Sequence, residues 1–308
     1  MTKTTLTRRS LLGAVAALPL ATTISNPARA GAPMMGASTT RHNRVTLGAF
    51  EVTTLLAATT SRPDPHTIFG LNVSAEEFAE VSAAANIPTD QAQFFFTPTV
   101  VNTGAELVLF DTGLNPDGIT AALNDAGYTP DQVDVVVITH MHGDHIGGLM
   151  SEGGEATFPN ARYVTGATEF DAWATMENAN FDSKMKPLAE MTSMIAAGTS
   201  VTSGITAMDA AGHTPGHMGY LLESEGKSLL IAADFANHYV WSLGYPDWEV
   251  RFDMDKAQAA TTRRRLLGML AADGLPFIGY HMPWPALGYV ETRGDGFRYV
   301  PASYQLIL

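Results

Sequence analysis

The chain has 308 residues, 45% of them hydrophobic and 16% charged, enough apolar material for a sizeable core and too much for global disorder. Thirty-one acidic against 18 basic residues give a formal net charge of −13, which opposes binding to nucleic acid or to an anionic membrane surface. There is no cysteine, which excludes disulfides, thiol nucleophiles, iron–sulfur clusters and thiolate zinc sites, so any metal must be held by His and carboxylate.

Residues 1–30 begin with a basic stretch containing Arg8 and Arg9, continue through an apolar run from Leu11 to Thr22 and reach the small-residue pattern Ala28-Arg29-Ala30, the layout of an export signal. Arg8-Arg9 followed by Ser10-Leu11-Leu12 is similar to a bacterial twin-arginine signal, which implies the twin-arginine export machinery as a partner. The run is shorter than the ~20 residues of a membrane span and is broken by Pro19, which argues against stable membrane insertion. Cleavage near Ala30 removes Lys3, Arg8, Arg9 and Arg29 and no acid, leaving residues 31–308 at −17. The expected location is periplasmic or secreted.

Beyond this segment, RVTLGAFEVTTLLA (44–57) predicts strands, and QFFFTPTVVNTGAELVLFDTG (93–113) reads as a hairpin turning at Asn102-Thr103-Gly104. A short helical pattern lies near 117–126. VDVVVIT (133–139) is a continuous apolar run of the kind buried on both faces. ARYVTG (161–166) reads as a strand, and 167–197 as helices broken by Pro187. ITAMDA, GYLLESEG and KSLLIAAD are strand candidates, 254–272 is a helix with Arg263, Arg264 and Arg265 on its solvated side, and PFIGYH ends the chain's buried strands. This alternation, with no linker or repeat, predicts a layered α/β sandwich forming one catalytic domain.

The chemistry sits at the exits of these strands. Thr139 is followed by His140-Met141-His142-Gly143-Asp144-His145, with four potential metal ligands. Alternation on an extended exit points His140 and His142 the same way, and a turn relaxed by Gly143 turns Asp144 and His145 to a neighbouring direction, so the cluster can serve two adjacent metals. Later strand ends offer His217 in GHTPGH (212–217), Asp234 after LLIAA and His281 after PFIGY. An acid ending a buried strand is costly unless paired or metal-bound, which makes Asp234 a candidate bridge.

With FDTG (110–113), HMHGDHIGG (140–148), GHTPGH (212–217), AAD (232–234) and YHMPWPALGYV (280–290), the chain resembles the metallo-β-lactamase-fold hydrolases over about 44–308. The resemblance implies an αββα sandwich in which His140, His142 and His217 bind one metal, Asp144, His145 and His281 bind the other, and Asp234 bridges them. It implies two divalent ions, zinc first and manganese, iron or cobalt as alternatives. Asp111 matches a position that supports the histidine loop, and His213 matches no ligand. VNTGAELVLFDTG, AGYTPDQVDVVVITHMHGDHIGGL, FPNARYV and the tail YVETRGDGFRYVPASYQLIL resemble the methyl parathion hydrolase branch, close to the N-acyl-homoserine lactonases and often homodimeric. Two departures stand out. The segment after FDTG is shorter than in organophosphate hydrolases and lacks their aromatic, and Asn237 stands where the lactonases carry a tyrosine, the nearest here being Tyr239.

Two cations, two carboxylates and a bridging hydroxide as nucleophile need no side-chain nucleophile for hydrolysis, with Asp144 and Asp234 as the catalytic carboxylates. The expected substrate is a small neutral molecule, a lactone or ester ahead of a phosphotriester. Trp173 and Trp284 are candidate pocket walls, while Phe94, Phe95 and Phe96 read as core. The rival readings are a redox protein on the same fold and a metal-binding protein without catalysis. If Arg8 and Arg9 direct export, replacing both with Lys leaves the precursor in the cytoplasm. Cell fractionation and N-terminal sequencing check this, the wild-type mature terminus being expected near Gly31.

Overall fold

The computed structural model describes residues 34, 37–304 and 308, so the export-signal reading of 1–30 lies outside the described residues. Residues 40–308 form a compact unit. Two seven-stranded sheets are stacked in it. The first runs, in spatial order, His42–Leu47, Phe50–Leu55, Thr99–Asn102, Leu107–Phe110, Val135–Ile138, Arg162–Gly166 and Thr192–Ile195. The second runs Ser200–Thr202, Ile205–Asp209, Met218–Ser224, Lys227–Ala233, Phe277–Gly279, Leu287–Arg293 and Gly296–Pro301. Among the described residues no helix is long and apolar enough to cross a membrane.

Side-chain alternation explains the layering. In Val135–Ile138, Val135 and Val137 face the second sheet, joining Val108, Phe110, Tyr220, Leu222 and Leu229 in the central core. Val136 and Ile138 face outward, where Ile119 and Leu123 of helix Pro116–Asp125 cover them. The apolar run is thus buried on both faces, as a strand covered by a sheet and a helix requires. On the far side Leu266, Leu267 and Leu270 of helix Lys256–Asp273 join the central core, completing the αββα sandwich. This helix corrects one expectation. Arg264 and Arg265 are partly exposed and ion-paired to Asp247 and Asp209, but Arg263 is fully buried.

The 93–113 segment is a second correction. Pro98 separates it into two parts: Thr99–Asn102 and Leu107–Phe110 form the hairpin, whereas Gln91–Phe96 leaves the sheet and pairs with Ala58–Pro63 in a separate two-stranded ribbon. Beside this ribbon Phe69, Phe78, Phe94, Phe96, Trp241 and Trp248 form a third apolar cluster.

What positions the site is strand direction. Leu107–Phe110 and Val135–Ile138 run parallel, as do Lys227–Ala233 and Phe277–Gly279. Asp111, His140, Asp234 and His281 therefore leave their strands at the same edge of the sandwich, the carboxyl-end position where open sheets gather functional groups.

Candidate metal centre

Asp111 accepts hydrogen bonds from the Thr139 N–H (2.9 Å) and hydroxyl (2.9 Å) and from His145 Nδ1–H (2.8 Å). It does so with φ at +61°, a left-handed conformation that costs a non-glycine residue about 1 kcal/mol. The Thr139 oxygen in turn accepts from His140 Nδ1–H at 3.1 Å. Burial pushes the Asp111 carboxyl up, and His145 opposes it. These bonds commit the Nδ1 protons of His140 and His145, so that each ring, when neutral, presents its lone pair at Nε2. The Asp111–Leu114 loop can lie against the turn Gly143–Ile146 because glycines follow it: a Cβ on Gly147 would fall 2.3 Å from the Leu114 carbonyl oxygen, and one on Gly148 2.2 Å from that of Thr112.

The GHTPGH loop supplies a histidine, and it is His213. Its Nε2 lies 3.0 Å from His142 Nδ1 and 3.5 Å from Asp234 Oδ2. His217 has no ring nitrogen free: Nδ1–H donates to the Ala210 carbonyl (3.0 Å), and Nε2 accepts from the Asp234 N–H (3.2 Å). Burial holds it neutral, with a pKa lowered to about 3. The expected ligand His217 is therefore corrected to His213, and His217 anchors the backbone of Asp234.

His213 has its own support. Nδ1–H donates to Asp253 Oδ1 at 2.9 Å, and Asp253 Oδ2 accepts from Arg263 Nη1 at 2.7 Å. Arg263 also donates to the carbonyls of Pro246 and Trp248. Burial works against the Asp253 charge, but His213 and Arg263 outweigh it and hold the carboxyl below its usual range. Glu169, fully buried, ties the two histidine loops together. It accepts from the Met141 N–H (2.9 Å) on one loop and from the Thr214 hydroxyl and Gly216 N–H (both 2.8 Å) on the other.

Two groups of donors converge. His140, His142 and His213 form one, and Asp144, His145, Asp234 and His281 the other; within each, the donor atoms lie within 4.8 Å of one another. Asp234 Oδ2 stands between them, 3.2 Å from His281 Nε2, 3.4 Å from His145 Nε2, 3.5 Å from His213 Nε2 and 4.0 Å from His140 Nε2. Ala233, just before it, holds φ at +47°. His281 donates Nδ1–H to the Phe95 carbonyl at 2.8 Å, leaving Nε2 for the centre.

The donor set fits two cations. The lone pairs of His140 and His213 both face His142 Nδ1, at 3.1 and 3.0 Å, and one proton there can serve only one of them. His145 Nε2 and Asp234 Oδ1 are buried with no hydrogen-bond partner, an arrangement that costs free energy unless a positive charge fills it. Without metal, protons take that role in part. Burial opposes charge on His281, but Asp234 and Asp144 outweigh it and push it up to about 10. His145 is raised likewise, against burial, by Asp111, Asp234 and Asp144.

A cavity of about 430 Å³ opens over the centre, lined by His142, Asp144, His213, Asp234 and His281 and walled by Phe94, Phe96, Leu114 and Phe252. Neither expected tryptophan lines it. Trp173 is buried in the outer core, edge-on to His142 with ring centroids 5.7 Å apart, and Trp284 donates its indole N–H to Thr40. Phe94 and Phe96 are core, as read, and also supply the wall, because alternation in the ribbon turns them to one face. Asp253 and Glu169 escaped the sequence reading, since each lies far from the motif it supports.

The sequence matches the metallo-beta-lactamase superfamily over residues 97–273, more than half of the chain. The chain belongs to this superfamily. Its relatives include the N-acyl homoserine lactonase of Bacillus thuringiensis, 28% identical over 119 residues, 38% of this chain and 44% of the relative. Exodeoxyribonuclease WalJ of Streptococcus pneumoniae serotype 2 is 31% identical over 98 residues, 30% of this chain and 33% of the relative. The chain thus spans less than half the length of these curated relatives. Among solved superfamily folds, AidC, a dizinc quorum-quenching lactonase in complex with a homoserine product, superposes with a TM-score of 0.80 at 22% identity, over 85% of this chain and 98% of that one. The hydrolase AbOPH superposes at 0.79 with 23% identity, over 87% and 99%. At these identities the superpositions show the shared fold.

Two predictions follow from the ligand geometry. His213→Ala lowers metal content from about two ions per chain towards one, whereas His217→Asn keeps two and lowers the melting temperature; elemental analysis beside a thermal melt reads both. Asp253→Asn removes the charge that orients His213 and weakens metal affinity about 10–100-fold, measured by chelator competition on the folded variant.

Proposed function

We propose that the chain is an exported, metal-dependent hydrolase of lactones or esters, with zinc as the first candidate metal and two ions per site. The observation that carries the reading is Asp234 Oδ2 within 4.0 Å of four imidazole Nε2 atoms beneath an apolar-walled cavity. Two divalent cations held by His140, His142 and His213 and by Asp144, His145 and His281, with Asp234 between, would lower the pKa of water and polarise a carbonyl oxygen.

The chain's own groups do the rest. His140, His145, His213 and His281 each have Nδ1 fixed by Thr139, Asp111, Asp253 and the Phe95 carbonyl, so the centre is oriented before substrate arrives. Asp144 lines the cavity and is the more exposed of the two carboxylates, 22% against 3%, so it is placed to take the proton from the attacking water. The water oxygen bonds to the carbonyl carbon, the carbon–alkoxide bond breaks, and that proton passes to the leaving oxygen. Among the described residues no tyrosine lines the cavity. Asn237 is buried and donates to Asp234 Oδ2 at 3.3 Å, which leaves the leaving-group proton to Asp144.

The lactonase and hydrolase names among the relatives support a carbonyl substrate with an apolar portion along Phe94, Phe96 and Phe252. Leu114 stands on the loop where an aromatic would wall in a triester's aryl group, so phosphotriesters rank second. On one metal-loaded preparation, acyl-homoserine or related lactones, then aryl esters, are turned over with higher kcat/KM than methyl parathion or paraoxon. A clear preference for the phosphotriesters reverses the ranking.

A further inference from the structure

The lining of the cavity does not share the acidity of the chain. Among the described residues no carboxylate besides the candidate ligands Asp144 and Asp234 lines it, while Arg62 and Lys184 both do. Arg62 has no side-chain hydrogen bond or ion pair among the described residues. Lys184 spends one donor on the Met150 carbonyl at 2.6 Å and keeps two. Two divalent cations, if bound, would outweigh the two carboxylates and a hydroxide, and these side chains would add to that positive end. A cleft with apolar walls focuses such a local field, so the net charge of the whole chain does not decide which molecules enter.

The placement is ordered. In the ribbon Thr60 pairs with Phe94 and Arg62 with Ala92, so Arg62 shares the face of Phe94 and Phe96 and lies two residues, roughly 7 Å, further along it. Phe96 and Phe94 stand edge-on to His281, with ring centroids 5.4 and 5.7 Å away. Going outward, the wall is metal ligand, two aromatic rings, then guanidinium.

We infer that the preferred substrates are esters or lactones that carry a carboxylate at the end of their apolar part, with the uncharged carbonyl on the metals, the apolar stem along Phe94 and Phe96, and the carboxylate at Arg62, Lys184 adding positive charge to the same cavity. The inference rests on the hydrolase reading and narrows its substrate class. Arg62 matches a carboxylate in bidentate fashion, and Lys184 adds a point charge.

The test compares mono-4-nitrophenyl esters of succinic, glutaric and adipic acid with 4-nitrophenyl butyrate, valerate and hexanoate, which have the same chain lengths and no carboxylate. With the metal-loaded enzyme at low salt, kcat/KM for the carboxylate series is higher by about tenfold or more at one length at least, and the ratio between the series falls in about 0.5 M salt. In the double variant Arg62→Ala, Lys184→Met the ratio drops by about tenfold, through KM. The single exposed variant Arg62→Ala repeats the drop in part if the double variant melts early. Faster turnover of the uncharged ester at every length, or an equal ratio in wild type and variants, overturns the inference and leaves the hydrolase reading standing. Turnover of neither series overturns the inference, and overturns the hydrolase reading as well if an acyl-homoserine lactone run alongside is also left intact.

Discussion

Seven ionisable side chains meet at one edge of a sandwich whose interior is otherwise apolar, and the fold around them is arranged to make that meeting tolerable. Burying one unpaired charge costs about several kcal/mol, and here Asp234 and the imidazoles of His140, His145 and His213 are almost completely enclosed. Positive charge between the two donor groups resolves the conflict. Protons on His145 and His281 do so partly, and divalent cations do so with all lone pairs engaged. Metal binding and the folded geometry of this edge are then linked.

The outer layer of contacts explains why the donors stay aimed without a cation. Asp111 fixes His145 and, through Thr139, His140. The buried pair Asp253 and Arg263 fixes His213, and the Phe95 carbonyl fixes His281. Glu169 joins the loops that carry His142 and His213. Left-handed backbone at Asp111 and Ala233 is the local cost of aiming carboxylates inward at strand ends. One consequence reaches the substrate wall: Phe252 lines the cavity and is covalently next to Asp253, so a single turn supports a metal ligand on one side and the apolar wall on the other.

Much of this was legible in the sequence because it is local. The buried run 133–139 announces a central strand, HMHGDH at its exit announces a metal loop, and Asp234 and His281 end apolar runs of the same kind. What escaped is set by distance along the chain. The resemblance assigns His217 and leaves His213 out, whereas Asp253, forty residues after His213, and the backbone of Asp234 decide which ring turns inward. Arg263 sits in an arginine triplet that reads as a solvated face, yet its helix carries it under the loop 246–253. Phe94 and Phe96 are core, as they read, but their second role as cavity wall is hidden in a three-aromatic run and becomes visible only once Gln91–Phe96 is paired with Ala58–Pro63. Net charge is likewise a property of the whole chain and says nothing of Arg62 and Lys184, which line one cavity.

The central claim is the double metal centre built on His213. Anomalous diffraction from crystals of the metal-loaded protein, collected above and below the absorption edge of the bound metal, tests it most directly. The account predicts two peaks, one among His140, His142 and His213 and one among Asp144, His145 and His281, with the Asp234 carboxylate between them and His217 outside. A single peak at full loading, or a peak coordinated by His217, contradicts it.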